Sequence, residues 1–334
     1  MKAKKTFSAV LVAVILFFAI TNLIPPDKVT DSNPFMTGEG NLPMISAHRG
    51  GGINNPENTM LAFREAAITY EVDIIESDLW LTADGHLVFN HDAYIDRTSN
   101  VNGDISAEEV EALCLVEENR HYICDMTLNQ LRQYNFGYYF EDENGQRIYK
   151  DTEDIEAAGL QIITAEELFS EFYDSHPDLM FIAEIKNEGE AGKLACKKLA
   201  EAVEKYPEYT DNIIVGSFFH EIEEEMRTNY PHLMRGASTE GVREFIIINL
   251  VGLGIFDTSD FTCLQLPTSY DIGFMISLDY KFIVNMAHRR NMAVQYWTIN
   301  EADDMRHMIE LGCDGITTDN PKLLKEILEE YKSK

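Results

Sequence analysis

Two histidines, two cations and three carboxylates stand out in this sequence because each ends or interrupts an apolar, β-rich run. His48-Arg49 follows residues 44–47, Glu76 and Asp78 follow Ile74-Ile75, His91-Asp92 follows 87–90, and Glu184 and Lys186 lie at the end of 179–185. Glu76 and Asp78 are two apart on a strand, so their side chains share one face. With Glu184 they offer three oxygen ligands, a hard set suited to Ca2+ or Mg2+. Arg49 and Lys186 would add positive charge around an anion. His48 and His91 carry side chains that exchange protons near neutral pH, as a general acid and base must. A hard cation, two fixed positive charges and two histidines together suit the cleavage of a phosphodiester. Each residue alone has a plainer reading. A histidine ends many strands, Glu184 and Lys186 could simply pair, and Glu57 could be a carboxylate favoured by a helix start. Phe218 and Trp297 could cap a core or line a substrate cleft. The case rests on their joint occurrence at strand ends.

Strand ends become neighbours only in particular folds. From residue 43 onward, β-rich runs at 44–47, 72–79, 179–185, 212–217, 233–237, 263–266, 293–299 and 315–317 alternate with helical patterns. Met60, Phe63, Ala67 and Tyr70 recur at helical spacing, with Asn55 and Pro56 expected at that helix's start. Ala195, Leu199, Val203 and Tyr206 make a second stripe. Strand–helix alternation predicts a parallel sheet, and eight repeats predict closure into a TIM-like (β/α)8 barrel, whose carboxyl rim gathers the polar strand ends. Residues 79–91 are read as a hairpin above the second strand that returns His91 to that rim. Residues 92–160 are an insertion on the catalytic face, with 16 acidic and 5 basic residues.

The 334 residues carry 27 Lys+Arg against 57 Asp+Glu, a net charge of −30. That balance argues against nucleic acid as a partner, because phosphate contacts need basic surface. Lys2, Lys4 and Lys5 precede a charge-free stretch from Thr6 to Pro26, about 30 Å as a helix. Residues 1–26 are therefore read as a single-pass membrane anchor with the rest of the chain extracytoplasmic. A cleaved signal, giving a secreted protein, is the rival reading. Residues 27–42 are read as a polar linker, and 43–334 as the barrel. Cys114 and Cys124 could form a disulfide in an oxidising compartment, whereas Cys196, Cys263 and Cys313 sit in apolar patterns and are expected as buried thiols. The acidic runs 141–143 and 151–156 are expected as a solvated face, with a second calcium site as the alternative. The other seven histidines have no comparable context and are expected at the surface or as caps.

The segments Ile45-Ser46-Ala47-His48-Arg49-Gly50, Pro56-Glu57-Asn58-Thr59, Ile75-Glu76-Ser77-Asp78-Leu79, Val88-Phe89-Asn90-His91-Asp92, Ala183-Glu184-Ile185-Lys186, Gly216-Ser217-Phe218, Tyr296-Trp297-Thr298-Ile299-Asn300 and Asp314-Gly315-Ile316-Thr317-Thr318-Asp319 occur in this order. Together they resemble the glycerophosphodiester phosphodiesterase family over residues 44–320. The resemblance implies a TIM-like barrel that hydrolyses glycerophosphodiesters, small-molecule substrates, to sn-glycerol 3-phosphate and an alcohol. It implies Glu76, Asp78 and Glu184 as ligands of a divalent metal, Ca2+ or Mg2+, and His48 and His91 as the acid–base pair. It also implies Arg49 and Lys186 as phosphate contacts and Trp297 as a wall for the substrate. Two departures bear on substrate access. The link 92–160 is longer than usual in the family, and Ile163-Thr164 stands where the family has Pro-Thr. Three rivals follow: a lysophospholipase D or sphingomyelinase D-like enzyme on the same barrel, a non-catalytic binding barrel, and a metallo-amidohydrolase. The last would need His-x-His on the first strand, where this chain has His48-Arg49.

Overall fold

The structure, a computed structural model, describes residues 21, 24–38, 40–271, 273 and 275–333. In chain order the strands are β1 (Met44–His48), β2 (Ile74–Leu81), β3 (Leu87–Phe89), β4 (Met180–Ile185), β5 (Ile213–Gly216), β6 (Met234–Arg235), β7 (Cys263–Leu266), β8 (Ser269–Asp271), β9 (Met275–Ser277), β10 (Ala293–Tyr296) and β11 (Gly315–Thr318). Eight of them form a parallel sheet in the order β6-β5-β4-β2-β1-β11-β10-β7. A parallel bridge between Gly236 and Cys263 joins the two outer strands, so the barrel is nearly closed. The strand candidates read from the sequence match these eight.

Each strand splits its side chains between two environments. Outward residues such as Ile45, Ile75, Phe181, Ile213, Leu264 and Ile316 enter a core shared with the helices. Inward residues Ile74, Met180, Ile182, Ile214, Cys263 and Ala293 fill the barrel floor. Further up β2 and β4 the inward positions become Glu76, Asp78 and Glu184, so one periodicity that packs the floor also delivers the carboxylates to the rim.

The helices are α1 (Met60–Arg64, continued by a π turn to Thr69), α2 (Ala107–Cys114), α3 (Leu128–Leu131), α4 (Ala165–Phe172), α5 (Gly189–Val203), α6 (His220–Asn229), α7 (Thr239–Leu250), α8 (Lys281–His288), α9 (Ala302–Leu311) and α10 (Pro321–Lys332). All except α2 and α3 follow barrel strands. The first helix begins later than its sequence suggests. Its N-cap is Thr59, whose hydroxyl accepts from Ala62 N at 3.2 Å, and not Asn55. Residues 55–58 form the preceding turn.

β3 pairs antiparallel with β2, Leu79 opposite Phe89 and Leu81 opposite Leu87. This is the expected hairpin. The insertion that follows has its own small core of Val88, Ile95, Ile123, Leu128, Leu131, Phe136 and Ile162. It is tied to the hairpin tip through Ala83 N to Met126 O and Leu128 N to Asp84 Oδ1. Cys114 is buried in α2 and Cys124 faces solvent, both as free thiols, so the disulfide considered for them is absent. Cys196, Cys263 and Cys313 are buried thiols. The hairpin β8–β9 has no counterpart in the sequence reading.

Residues 27–42 are expected as a polar linker, but 29–37 lie across the floor. Phe35 is fully buried among Ile74, Met180 and Ile214. Asn33 Nδ2 donates to Thr262 O and Asn291 O at 2.8 and 2.9 Å, and Thr37 N donates to Asp314 Oδ1. Of the expected anchor, residues 1–26, positions 1–20, 22 and 23 lie outside the described residues. Among the described residues no helix is long and apolar enough to cross a membrane. Phe35→Ala should destabilise the domain by about 3–5 kcal/mol in urea unfolding followed by circular dichroism, the cost of an unfilled aromatic site in a packed floor.

Candidate active site and metal centre

At the carboxyl rim, His48, Arg49, Glu76, Asp78, His91, Glu184, Lys186, Phe218 and Trp297 line one cleft. The structure thus brings together nine of the ten residues singled out in the sequence. The register explains the meeting: His48 stands beside Glu76, and Asp78 beside Glu184, across adjacent parallel strands. Lys186 is the residue after β4.

The three carboxylates offer oxygen atoms within 4.8 Å of one another. Glu76 and Asp78 are buried. Burial and the neighbouring Asp78 charge push the Glu76 carboxyl up to about 7. Burial also raises Glu184 against the pull of Lys186. Asp78 Oδ2 and Glu184 Oε1 are buried, and no neutral group donates to either. Their partners are charges only: Arg49 Nε lies 3.4 Å from Asp78 Oδ2, and Lys186 Nζ 2.5 Å from Glu184 Oε1. An all-oxygen cluster whose buried acceptors meet cationic side chains alone fits a hard divalent cation. Among the described residues it is the one such cluster, and the second calcium site considered near 141–156 has none. Asp142 instead closes a turn, accepting from Asn144 N and Gln146 N.

Arg49 owes its aim to the turn after β1. Its backbone is left-handed, φ 54°, held by Arg49 N to Glu76 O and by Asn58 N to Arg49 O. Gly50 follows at φ 82°, where a Cβ would meet Ala62 and Phe63 at 2.9 Å. The guanidinium reaches Asp78 on one side and Glu57 on the other, Nη1 to Oε1 3.3 Å. Glu57 does not line the cleft. It sits behind Arg49 and pairs with Arg97 of the insertion at 2.6 and 3.0 Å. Although burial opposes it, these two guanidiniums hold the Glu57 carboxyl below its usual range.

Each histidine is oriented by an aspartate. His48 Nδ1 lies 2.6 Å from Asp319 Oδ1, and His91 Nδ1 lies 3.0 Å from Asp92 Oδ1. Burial would lower the His48 pKa, but the Asp319 hydrogen bond and the Glu76 charge outweigh it and raise it. Asp319 is itself fixed by Asn300, which donates to its Oδ2 and accepts from its N–H. Asp92 also accepts from Arg97 Nε at 2.7 Å. Arg97 therefore ties the His91 support to the Arg49 support. Asp92, Asn300 and Asp319 stand in the motif segments of the sequence without a role assigned to them, and Arg97 stands in none of those segments. Asp319 could have been found from register, because Ala47 pairs with Thr318 and so the next residue of each strand, His48 and Asp319, must meet. Arg97 gives no such signal.

Phe218 and Trp297 stand edge to face, 6.0 Å between centroids, and Lys186 Nζ lies 5.1 Å over the Phe218 ring. Both belong to the cleft wall. Several remaining histidines serve locally, as in His121 to buried Asp96 and His288 to buried Asp314, both 2.8 Å.

The sequence profile described as Glycerophosphoryl diester phosphodiesterase family matches residues 48–323. The chain belongs to this family. A glycerophosphodiester phosphodiesterase of Caldanaerobacter subterraneus subsp. tengcongensis is 28% identical over 282 residues, covering 84% of this chain and 96% of that one. A lysophospholipase D of Mus musculus is 26% identical, covering 86% of each. An Oleispira antarctica phosphodiesterase, whose structure was solved in complex with the product sn-glycerol-3-phosphate, shares the fold. Its TM-score is 0.58 at 16% identity, with 86% of this chain and 97% of that one covered.

Two outcomes follow. Asp319→Asn should lower kcat about 10–100-fold with little change in thermal stability, the usual scale for losing an orienting partner. Because Glu76 titrates at about 7, it holds its proton below that pH, and a cation must displace it. Divalent-cation affinity should therefore fall as pH drops from 8 to 6, with proton release visible by calorimetry in buffers of different ionisation enthalpy.

Proposed function

We propose that this protein hydrolyses glycerophosphodiesters to sn-glycerol 3-phosphate and an alcohol, with a divalent cation held by Glu76, Asp78 and Glu184. The observation that carries the reading is the placement of two aspartate-supported histidines beside that carboxylate cluster, with Arg49 and Lys186 at its edge. A bound cation would supply charge stabilisation at the phosphoryl oxygens. Arg49 and Lys186 hold the phosphate anion and are in turn held by Asp78 and Glu184. Both histidines have Nδ1 engaged, so Nε2 is the atom that holds or moves a proton. One removes a proton from the attacking oxygen, and the other delivers one to the leaving alcohol. Phe218 and Trp297 shield one wall from water.

A second reading keeps the fold and changes the alcohol. The similarity to a lysophospholipase D supports lysolipids as substrates of the same cleft. The reading also includes residues 1–26 as a single-pass anchor with the barrel outside the cytoplasm, supported by the charge-free run from Thr6 to Pro26 after three lysines.

Purified protein should release glycerol 3-phosphate from glycerophosphocholine when calcium or magnesium is present and lose that activity in excess chelator. His48→Ala should lower kcat by about 10²–10⁴. Undiminished turnover in chelator would sink the metal role, and faster turnover of lysophosphatidylcholine than of glycerophosphocholine would select the second reading.

A further inference from the structure

The carboxyl end of α7 and the loop after it carry an uncharged run, residues 245–256, between Glu244 and Asp257. Part of that run is core: Phe245 and Ile246 are buried. The rest is not. Ile247, Leu250, Val251 and Phe256 are each more than half exposed, and Phe282 of α8 and Ile24 are nearly so. Four of these are set by one small depression lined by Thr21, Pro26, Asn249, Gly254, Ile255, Phe282, Met286 and Arg289: Phe282 is in its lining, Leu250 and Phe256 are chain neighbours of Asn249 and Ile255, and Ile24 lies between Thr21 and Pro26. Single exposed apolar residues are ordinary; four at one point, continued by Ile247 and Val251 at the same end of α7, form a collar that needs a partner.

That point is where the N-terminal segment reaches the domain. Thr21 Oγ1 donates to Gly252 O at 3.1 Å, and Arg289 Nη2 donates to Ile24 O at 3.1 Å. The charge-free run begins at Thr6. As a helix, the fifteen residues 6–20 would cover about 22 Å, short of the roughly 30 Å hydrocarbon core. Completing a span takes residues up to about Pro26, and of these Thr21 and Ile24 are already held on the collar. A bilayer crossed by this segment must therefore reach the collar itself.

We propose that Ile24, Ile247, Leu250, Val251, Phe256 and Phe282 form a membrane-docking surface that seats the barrel against a lipid bilayer. The inference rests on the anchor reading above. Burial of apolar area drives the contact, because a chain of net charge −30 gains nothing from anionic headgroups. Such surfaces sink about 5–10 Å into the boundary between headgroups and acyl chains. α7 runs from the rim downward, so its exposed carboxyl end lies toward the floor, while Phe282, in the first turn of α8, marks the rim-ward edge of the collar. Docking thus lays the flank of the barrel along the bilayer.

The test uses the full chain in phosphatidylcholine vesicles, with Phe256→Trp as reporter and Ile148→Trp in the insertion as control. The emission of Trp80 and Trp297 is subtracted using the unsubstituted chain. Both variants should hydrolyse a soluble diester at the unsubstituted rate. In vesicles brominated near the headgroup end of the acyl chains, the Phe256→Trp emission should shift to the blue and be quenched, and that of Ile148→Trp should not. Flotation with vesicles but equal quenching of the two variants overturns the docking surface and leaves the anchor standing. Failure to float overturns both. Unquenched Phe256→Trp in a chain that cross-links as a dimer overturns lipid as the occupant in favour of a second copy.

Discussion

Three carboxyl groups sharing a buried rim repel one another. At about 4 Å and an effective dielectric of about 20, each pair costs about 4 kcal/mol when both are ionised. Glu76, Asp78 and Glu184 are held at such distances by strands whose register is fixed along their length, so they cannot separate to relieve the repulsion. Much of the surrounding chemistry answers that constraint. Glu76 retains a proton to about pH 7, Lys186 spans Asp78 and Glu184, and Arg49 leans on Asp78. With Glu76 protonated, the two cations Lys186 and Arg49 balance the charges of Asp78 and Glu184.

The neutralising charges do not end at the cleft. Arg49 passes to Glu57, Glu57 to Arg97, Arg97 to Asp92 and Asp92 to His91. The chain of alternating charge begins on β2, leaves the barrel through the turn before α1, crosses into the insertion and returns to the hairpin end. His48 is fixed differently, by Asp319 and Asn300 at the ends of neighbouring strands. One histidine is thus set by the barrel alone, and the other by the agreement of three loops.

The legible part of the sequence was the part governed by strand periodicity. Carboxylates at Glu76, Asp78 and Glu184 break apolar runs whose inward side is otherwise Ile or Met, and that contrast marks a rim. Residues acting through neighbours were harder. Arg97 lies among acidic insertion residues and is distinguished only by the folding of 92–97 back over Glu57. Phe35 is one aromatic in a polar segment, and nothing in its spacing shows that the floor needs a plug. Thr59 rather than Asn55 starts α1 because the turn 55–58 spends four residues placing Asn58 against Arg49. The β8–β9 hairpin is short and largely exposed, so it carries no apolar alternation to read.

The strap across the floor has a mechanical meaning. Asn33, Thr37 and Val29 bond to Thr262, Asn291, Asp314 and Arg290, the entrances of β7, β10 and β11. Tension entering through the N-terminal segment is delivered to those three strands, spread over several hydrogen bonds and one inserted ring. The carboxylates stand on β2 and β4, which take no hydrogen bond from Asn33, Thr37 or Val29 and meet the strap through the Phe35 ring against Ile74 and Met180. A tug on the tether would strain the floor seam long before it altered the spacing of the oxygens on which the cleft depends.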